Sequence, residues 1–497
     1  MTARGSLAVV VLAAGRGVRM KSARPKVLHA VAGRPLLDHV LATSRQLLAA
    51  HGGGDPVIVV GAGRDEVAAH LARTDARAVA VVQDPPRGTG DAVRVASTAF
   101  GEATTVVVLS GDVPLLSPAS VERLLAALGG PEGAKGPEGT DSPAVAFLTA
   151  HLDDAGSYGR VVRDASKKVL RIVEARDATE DERKIGEINA GVYAFDRAFL
   201  DAALPHLTAA NSQNELYLTD LLGLAVANGR CVVGIPAEDP REVLGVNSRH
   251  ELAAVDGLLR QRAVNAALDG GATLIRPETI TLDATVVLEP DAVVEPFATL
   301  TGASRVGAGA RIGQGSVVVD SEIGAGATLR PYCVLERAVV GEGSLVGPFA
   351  RLREGTVLER DVHVGNFVET KKVRLARGAK ANHLTYLGDA TVGEGTNVGA
   401  GVITCNYDGF DKHMTRIGAG VFVGSDVQLV APVSVGDGAV IGAGTTVTKD
   451  VPPDALAVSR APQTVVNGGG EAYRRRKKAA REARDARDAR DARTKGT

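Results

Sequence analysis

Residues 305–316 read RVGAGARIGQGS, and residues 434–447 read SVGDGAVIGAGTTV. In both, an aliphatic residue is followed by small residues and returns after six positions. The same spacing runs through Val306, Ile312 and Val318, through Val340, Val346, Leu352, Leu358 and Val364, through Val392 and Val398, and from Ile417 through Val423, Leu429, Val435 and Ile441 to Val447. Neither a helix, with its period of 3.6, nor a lone strand, with its period of 2, puts one residue in six on the inside. Hexapeptide repetition does so in a parallel β-helix, where each repeat lays one short strand on a flat side and a small residue turns the corner. Three hexads then make one triangular coil.

Upstream of about residue 270 the pattern changes. LAVVVLAA is followed by PLLDHVLATSRQLLAA, PVIVVG by RDEVAAHLAR, AVAVVQD by DAVRVASTAF, and TVVVLSGD by SPASVERLLAALG. Short β-branched runs, each followed by an amphipathic stretch of helix length, predict βαβ units and a mostly parallel sheet. Ligands of such sheets bind at the carboxyl ends of strands, which directs attention to the loops LAAGRG and SGDVP. The segment HELAAVDGLLRQRAVNAALDGG, ending on a glycine pair, predicts a linker helix. Four regions follow: an α/β domain over 1–249, the linker helix over 250–270, the repeat tract over 271–463, and a charged tail over 464–497 expected to be solvated or disordered. Residues 129–143, GGPEGAKGPEGTDSP, read as a surface loop.

The chain of 497 residues has 57 basic and 58 acidic side chains, so no global field draws it to nucleic acid or membrane. Three widely spaced cysteines, Cys231, Cys333 and Cys405, offer neither a disulfide framework nor a zinc site and suit a reducing compartment. LAVVVLAA is short and runs into a glycine turn, which fits a buried first strand better than a signal peptide. No apolar stretch approaches the ~20 residues of a membrane span. A cytoplasmic protein is expected.

The loop LAAGRG offers a bulk-free backbone to a phosphate or a base, and Arg19 and Lys26 supply positive charge. It lacks the third glycine of a dinucleotide fingerprint, where Met20 stands, and the Gly-Lys-Ser/Thr of a P-loop. Asp112, in the loop after TVVVL, is placed either to cap a turn or to hold Mg²⁺ on a nucleotide, and the neighbouring phosphate loop favours the metal.

LAAGRG, PKVLH, the GTG of residues 88–90, SGDVPL, YGR, EINAGVY, YLTDLL and VLGVNSR resemble, in order, the blocks of the nucleotide-sugar pyrophosphorylases. With HVGNFVETKK, HLTYLGDA, NVGAG, TCNYDG, FVGSD and GAGTTVTKDV behind them, residues 7–463 resemble the family of bacterial bifunctional N-acetylglucosamine-1-phosphate uridyltransferases and glucosamine-1-phosphate N-acetyltransferases. The resemblance implies a Rossmann-like α/β nucleotidyltransferase domain followed by a left-handed parallel β-helix. It assigns Leu12, Ala13, Ala14, Gly15, Lys26, Gln83, Gly88, Thr89, Ser110, Gly111, Asp112, Gly159, Glu174, Asn189 and Asn247 to the uridine and sugar pocket, with Asp112 and Asn247 on Mg²⁺. UTP and acetyl-coenzyme A are the implied co-substrates. Three positions depart from the family: Val18 replaces a usual Thr, Asp91 replaces a usual His, and Pro85-Pro86 stiffens the same loop. Asp91 is expected to bring a negative charge near an anionic ligand and to affect nucleotide affinity or base choice.

In the repeats the hexad signal blurs between residues 370 and 387, where Lys371, Lys372, Arg374, Arg377 and Lys380 gather just before His383. Without the resemblance this reads as a solvated edge. With it, His383 falls on the general base, a role that suits imidazole because its pKa lies near neutrality. Arg351 and Lys371 fall on the sugar phosphate, Tyr386 and Asn397 on the sugar, and Ala400, Asn406, Tyr407, Ser425, Ala443 and Arg460 on acetyl-coenzyme A. TCNYDGFDKHMTRI interrupts the period and predicts a loop leaving the prism. In the family this loop reaches a neighbouring subunit, which implies a homotrimer and a role for Lys412 there. A pyrophosphorylase of other substrate choice with an idle prism, and a scaffold binding nucleic acid through the Arg-rich tail, are the competing readings.

Overall fold

The computed structural model describes residues 6–15, 17–129, 143–459 and 462–494, so most of the loop 129–143, and Arg460, lie outside the described residues. The chain divides into two compact units, with the boundary between Arg337 and Ala338, inside the repeat tract.

In the first unit one mixed sheet has the strand order Val232–Pro236, Val145–His151, Glu187–Asp196, Thr105–Ser110, Leu7–Ala13, Val57–Val60, Val79–Val82. The four strands from Thr105–Ser110 to Val79–Val82 are parallel, as the alternating pattern predicts. Glu187–Asp196 runs antiparallel to both of its neighbours, which sequence periodicity does not reveal. Val9, Val11, Leu109, Leu37 and Leu124 bury one face of this sheet, and Val10, Val108, Val93 and Leu221 the other. Leu7–Ala13 is therefore a central strand buried on both sides, which is why it lacks alternation.

The helix Arg249–Asp269 follows, with Ser248 accepting the Glu251 N–H at 3.3 Å as its N-cap. Arg260 joins Asp256 on this helix, at 2.8 Å, to the buried Asp283 of the first coil, at 2.7 Å. The coils of this unit stack in parallel register: Thr281 beside Thr299, then Val317, then Val334.

The second unit continues the same construction. Arg351, Glu369, Tyr386, Ile403, Gln428 and Thr446 are successive register partners. Every aliphatic of the six-residue series is buried, none above 5% exposed. A parallel β-helix is the fold on which that period turns inward both the aliphatic and the small residue two places before it, as in Ala310 with Ile312 and Ala350 with Leu352. Between Ile403–Cys405 and Thr415–Ile417 the predicted loop leaves the prism, and Phe410 at its tip is 90% exposed. None of Cys231, Cys333 and Cys405 forms a disulfide.

The tail departs from expectation: residues Gly469–Thr494 form a helix. Ala, Arg, Lys and Glu are strong helix formers, and the pairs Lys478–Glu482 (3.9 Å) and Arg481–Asp485 (3.8 Å) sit four residues apart. Its side chains are exposed through Arg487, so it is solvated but not irregular. No helix among the described residues is long and apolar enough to cross a membrane.

Candidate active sites

In the first unit the parallel register places Leu12 beside Ser110, so the ends of both strands open onto one cavity. Leu12, Ala13, Ala14, Gly15, Lys26, Gln83, Gly88, Thr89, Ser110 and Asp112 all line it, together with Pro86 of the Pro85-Pro86 loop and with Glu215, which sequence reasoning did not single out. Gly111 lies behind, its N–H on Leu12 O at 2.9 Å. Gly17 has φ +59°, and a Cβ there would lie 2.7 Å from Lys26 Cβ, so a glycine admits the lysine to the cavity wall.

Asn247 reaches the same place because Val246 N–H donates to Asp112 O at 2.9 Å. The Lys26 ammonium donates to Asn247 Oδ1 at 3.0 Å and contacts the Asp112 carboxylate. A carboxylate oxygen and an amide oxygen thus converge on one positive charge. That donor set fits a small hard cation, which takes one or two protein oxygens and completes its shell with phosphate and water.

Gly159, Glu174 and Asn189 lie close to one another but are not part of that cavity's lining; a Cβ on Gly159 would stand 3.5 Å from Glu174 Oε2. Asn189 N–H donates to Gly159 O at 2.9 Å, and Thr219 Oγ1–H donates to Glu174 at 3.1 Å. Burial pushes the Glu174 carboxyl above its usual range, only partly offset by the Thr219 hydroxyl. Arg19 lies exposed on the short turn Val18–Met20 and is not part of the cavity lining.

Asp91 corrects an expectation. It is 4% exposed and does not line the cavity; one carboxylate oxygen accepts from Gln83 Nε2 at 2.9 Å and the other contacts Arg94. Its charge is therefore paired and turned away from any anionic ligand. The departure from the family acts behind the cavity wall.

In the second unit His383 ends the strand Lys380–His383 and Tyr386 begins the next, Tyr386–Val392. Leu384, at φ +46°, turns the corner between them, and Thr385 Oγ1–H donates to His383 O at 2.7 Å. The imidazole is exposed. Tyr386 folds over Gly388: a Cβ on that glycine would lie 2.4 Å from the tyrosine hydroxyl and 2.8 Å from Asn406 Nδ2. Asn406 in turn contacts Asp389. Asn397 is the register partner of Lys380 on the adjoining coil.

Lys371 carries three further electrostatic neighbours. Lys412, foremost, and Arg353 lower its pKa, and Asp389 opposes them. Such convergence of cations suits a phosphate. Arg353, one coil away, thus bears on Lys371. Arg353 N–H bonds Thr370 O at 2.9 Å and its guanidinium bonds Glu369 at 2.9 Å, whereas Arg351 is the register partner of Glu369. A one-coil spacing of three hexads links 353 to 371 and could have selected it. Lys412, assigned to a neighbour's site, lies beside Lys371 of its own chain.

Ala400, Ser425 and Ala443 occupy corners of successive coils, with Asp426 N–H on Ala400 O at 2.7 Å and Gly444 N–H on Ser425 O at 2.9 Å. Tyr407 stands on the projecting loop, 59% exposed. Three hydrogen bonds to the Asp408 carboxylate, from Asp411 N–H at 2.7 Å, His413 at 2.7 Å and Phe410 N–H at 2.8 Å, brace that loop and hold the Asp408 carboxyl well below its usual range.

Comparison with known proteins bears on both units. Residues 9–184 match the MobA-like NTP transferase domain, 282–377 the GMPPB C-terminal domain, and 414–449 the six-repeat bacterial transferase hexapeptide family. The Bifunctional protein GlmU of Trichlorobacter lovleyi is 46% identical over 470 residues, covering 94% of this chain and 98% of that protein. That of Sorangium cellulosum is 47% identical over 480 residues, covering 95% and 98%. The chain belongs to the bifunctional GlmU family. Cellvibrio japonicus GlmU, 41% identical, aligns over 93% of this chain and 98% of its own length. As a GlmU-family member the chain is a bifunctional transferase, a nucleotidyltransferase in its first half and an acyltransferase in its repeats. Membership also implies nucleotide-sugar ligands and a divalent metal for the first site.

Proposed function

We propose that the chain makes UDP-N-acetylglucosamine in two steps on two separate sites. In the second unit, the amine of glucosamine 1-phosphate attacks the thioester carbonyl of acetyl-coenzyme A. The C–N bond forms, the C–S bond breaks, His383 takes the amine proton, and the coenzyme A thiolate leaves. Lys371, with Arg353 and Lys412 beside it, holds the sugar phosphate, and Tyr386 and Asn397 hold the sugar. Ala400, Asn406, Tyr407, Ser425, Ala443 and Arg460 belong to the acetyl-coenzyme A side.

In the first unit a phosphate oxygen of N-acetylglucosamine 1-phosphate attacks the α-phosphorus of UTP, and pyrophosphate leaves. Phosphoryl transfer of this kind needs positioning and charge neutralisation more than covalent help. Mg²⁺, held by Asp112 and Asn247, would supply charge neutralisation when bound. Lys26 carries the fixed positive charge on the cavity wall, Leu12–Gly15 and Gly88–Thr89 present small or backbone groups to the nucleotide, and Gly159, Glu174 and Asn189 take the sugar. We assign the enzyme to the cytoplasm and to a homotrimer built through the prism.

The observation that carries this reading is the meeting of Lys26, Asp112 and Asn247 at the mouth of the Leu12–Gly15 loop. Its test is pyrophosphate release from UTP, Mg²⁺ and glucosamine 1-phosphate, with and without acetyl-coenzyme A. Release that depends on the acetyl donor is the expected result. Release indifferent to it would remove the acetyl-transfer step from the scheme.

A further inference from the structure

Gln83 follows the strand Val79–Val82 and lines the cavity at its end. Its carboxamide nitrogen donates to Gly88 O at 2.9 Å and to Asp91 Oδ2 at 2.9 Å. A carboxamide nitrogen has two hydrogens, and both are used here. Both partners can only accept. The reversed amide would set its oxygen against a carbonyl and a carboxylate, losing two hydrogen bonds and gaining repulsion. The Gln83 side chain therefore keeps its nitrogen toward the loop and its oxygen as the group left for a ligand.

Asp91 completes that arrangement from behind. It is buried within the first turn of the helix Thr89–Ala96, and Arg94 anchors its second oxygen. A histidine at this place would present a donor or an acceptor according to its tautomer. A carboxylate paired with an arginine presents acceptors alone.

We propose that Asp91 is a positioning residue for nucleobase choice: by fixing Gln83 as an acceptor, it favours a pyrimidine whose ring nitrogen N3 carries a hydrogen, as in uracil, over cytosine, whose N3 is a bare acceptor. This rests on the reading of the cavity as the nucleotide pocket. Discrimination arises as much from what is repelled as from what is bound, since two acceptors facing each other across a closed site are unfavourable.

The test uses the full chain with N-acetylglucosamine 1-phosphate and Mg²⁺, and reads kcat/KM for UTP and for CTP by pyrophosphate release. Asp91→Asn keeps the shape but offers an amide hydrogen to a reversed Gln83. It is expected to lower the UTP:CTP ratio by about tenfold, the size of one hydrogen bond to a charged group. Inactive molecules lower both rates alike, so the ratio is insensitive to partial misfolding. If Asp91→Asn is wholly inactive, Arg94→Met carries the test, because it leaves the carboxylate in place but frees it to turn, and the ratio should fall in the same direction. An unchanged ratio in an active variant overturns the positioning role while leaving the nucleotide pocket standing. Failure of the unaltered enzyme to use UTP overturns the pocket reading and the proposal together.

Discussion

Lys26 and Asn247 are 221 residues apart in sequence, yet the ammonium of one donates to the amide oxygen of the other at 3.0 Å. The Asp112 carboxylate shares the same charge. Asp112→Asn keeps the side-chain size and removes the anionic oxygen. The Mg²⁺ concentration for half-maximal pyrophosphate release should rise about 10- to 100-fold, the usual cost of impairing a metal's protein ligation. Acetyl transfer should not change. A metal titration that superimposes on that of the unaltered enzyme would leave Asp112 with no task beyond holding Lys26.

His383→Ala removes the group that takes the amine proton. Coenzyme A release from acetyl-coenzyme A and glucosamine 1-phosphate should fall by about 10²- to 10⁴-fold. Uridylyl transfer to supplied N-acetylglucosamine 1-phosphate should persist. If a folded variant loses both activities, the two sites do not work independently.

Gly88 has φ +105°, and a Cβ there would sit 2.5 Å from Leu216 O. That carbonyl has little room to yield, because it accepts Gly90 N–H at 2.8 Å while Leu216 N–H bonds Arg87 O at 2.7 Å. Gly88→Ala should raise KM for UTP and cost about 1–3 kcal/mol of stability. Thermal melting and UTP kinetics measure the two effects separately.

The Glu174 carboxyl gives the first unit a pH dependence of known sign. Burial raises its folded-state pKa above the unfolded value, so the folded form binds a proton more tightly. Below the unfolded pKa of about 4.3 both states are protonated and the group favours neither. As pH rises from there through the folded pKa, the unfolded chain gains the solvated carboxylate first and stability is lost. Glu174→Gln, neutral at all pH, should abolish this part of the slope. Melting temperatures of both proteins between pH 4 and 8 provide the comparison, and parallel curves would show that Glu174 titrates alike in both states.

How legible these features were depends on the range of the interaction behind each. The six-residue period was legible because every coil repeats one constraint, an aliphatic side chain inside and a turn at the corner, and the buried series from Val306 to Val447 obeys it. The residues Leu12 to Gly15, Lys26, Gln83 and Asp112 meet as their motifs imply. The role of Asp91 was hidden because its partners Gln83 and Arg94 cannot be told from a solvated neighbourhood without the backbone. Arg353 was not singled out, although its one-coil spacing from Lys371 was legible in the sequence, because the resemblance directed attention to Arg351 instead. The tail is solvated, as one of the two expected readings had it, and its helix was not anticipated because low hydropathy was weighed more heavily than helix propensity.

The loop at Asn406–Met414 shows how this architecture tolerates changes in length. Before it Tyr386 pairs with Ile403, 17 residues on; across it Ile403 pairs with Gln428, 25 residues on; beyond it Thr415 pairs with Val433, 18 residues on. The extra residues leave at a corner, and the inward phase resumes as if they were absent. A β-helix therefore has something like a reading frame. An insertion on a flat side shifts every later side chain out of phase, whereas one at a corner is silent. Gly378, Gly395 and Gly420, at positive φ with nothing within 4 Å of where a Cβ would stand, are corners of that kind. They are where a peptide tag could be spliced into the second unit without disturbing its aliphatic core.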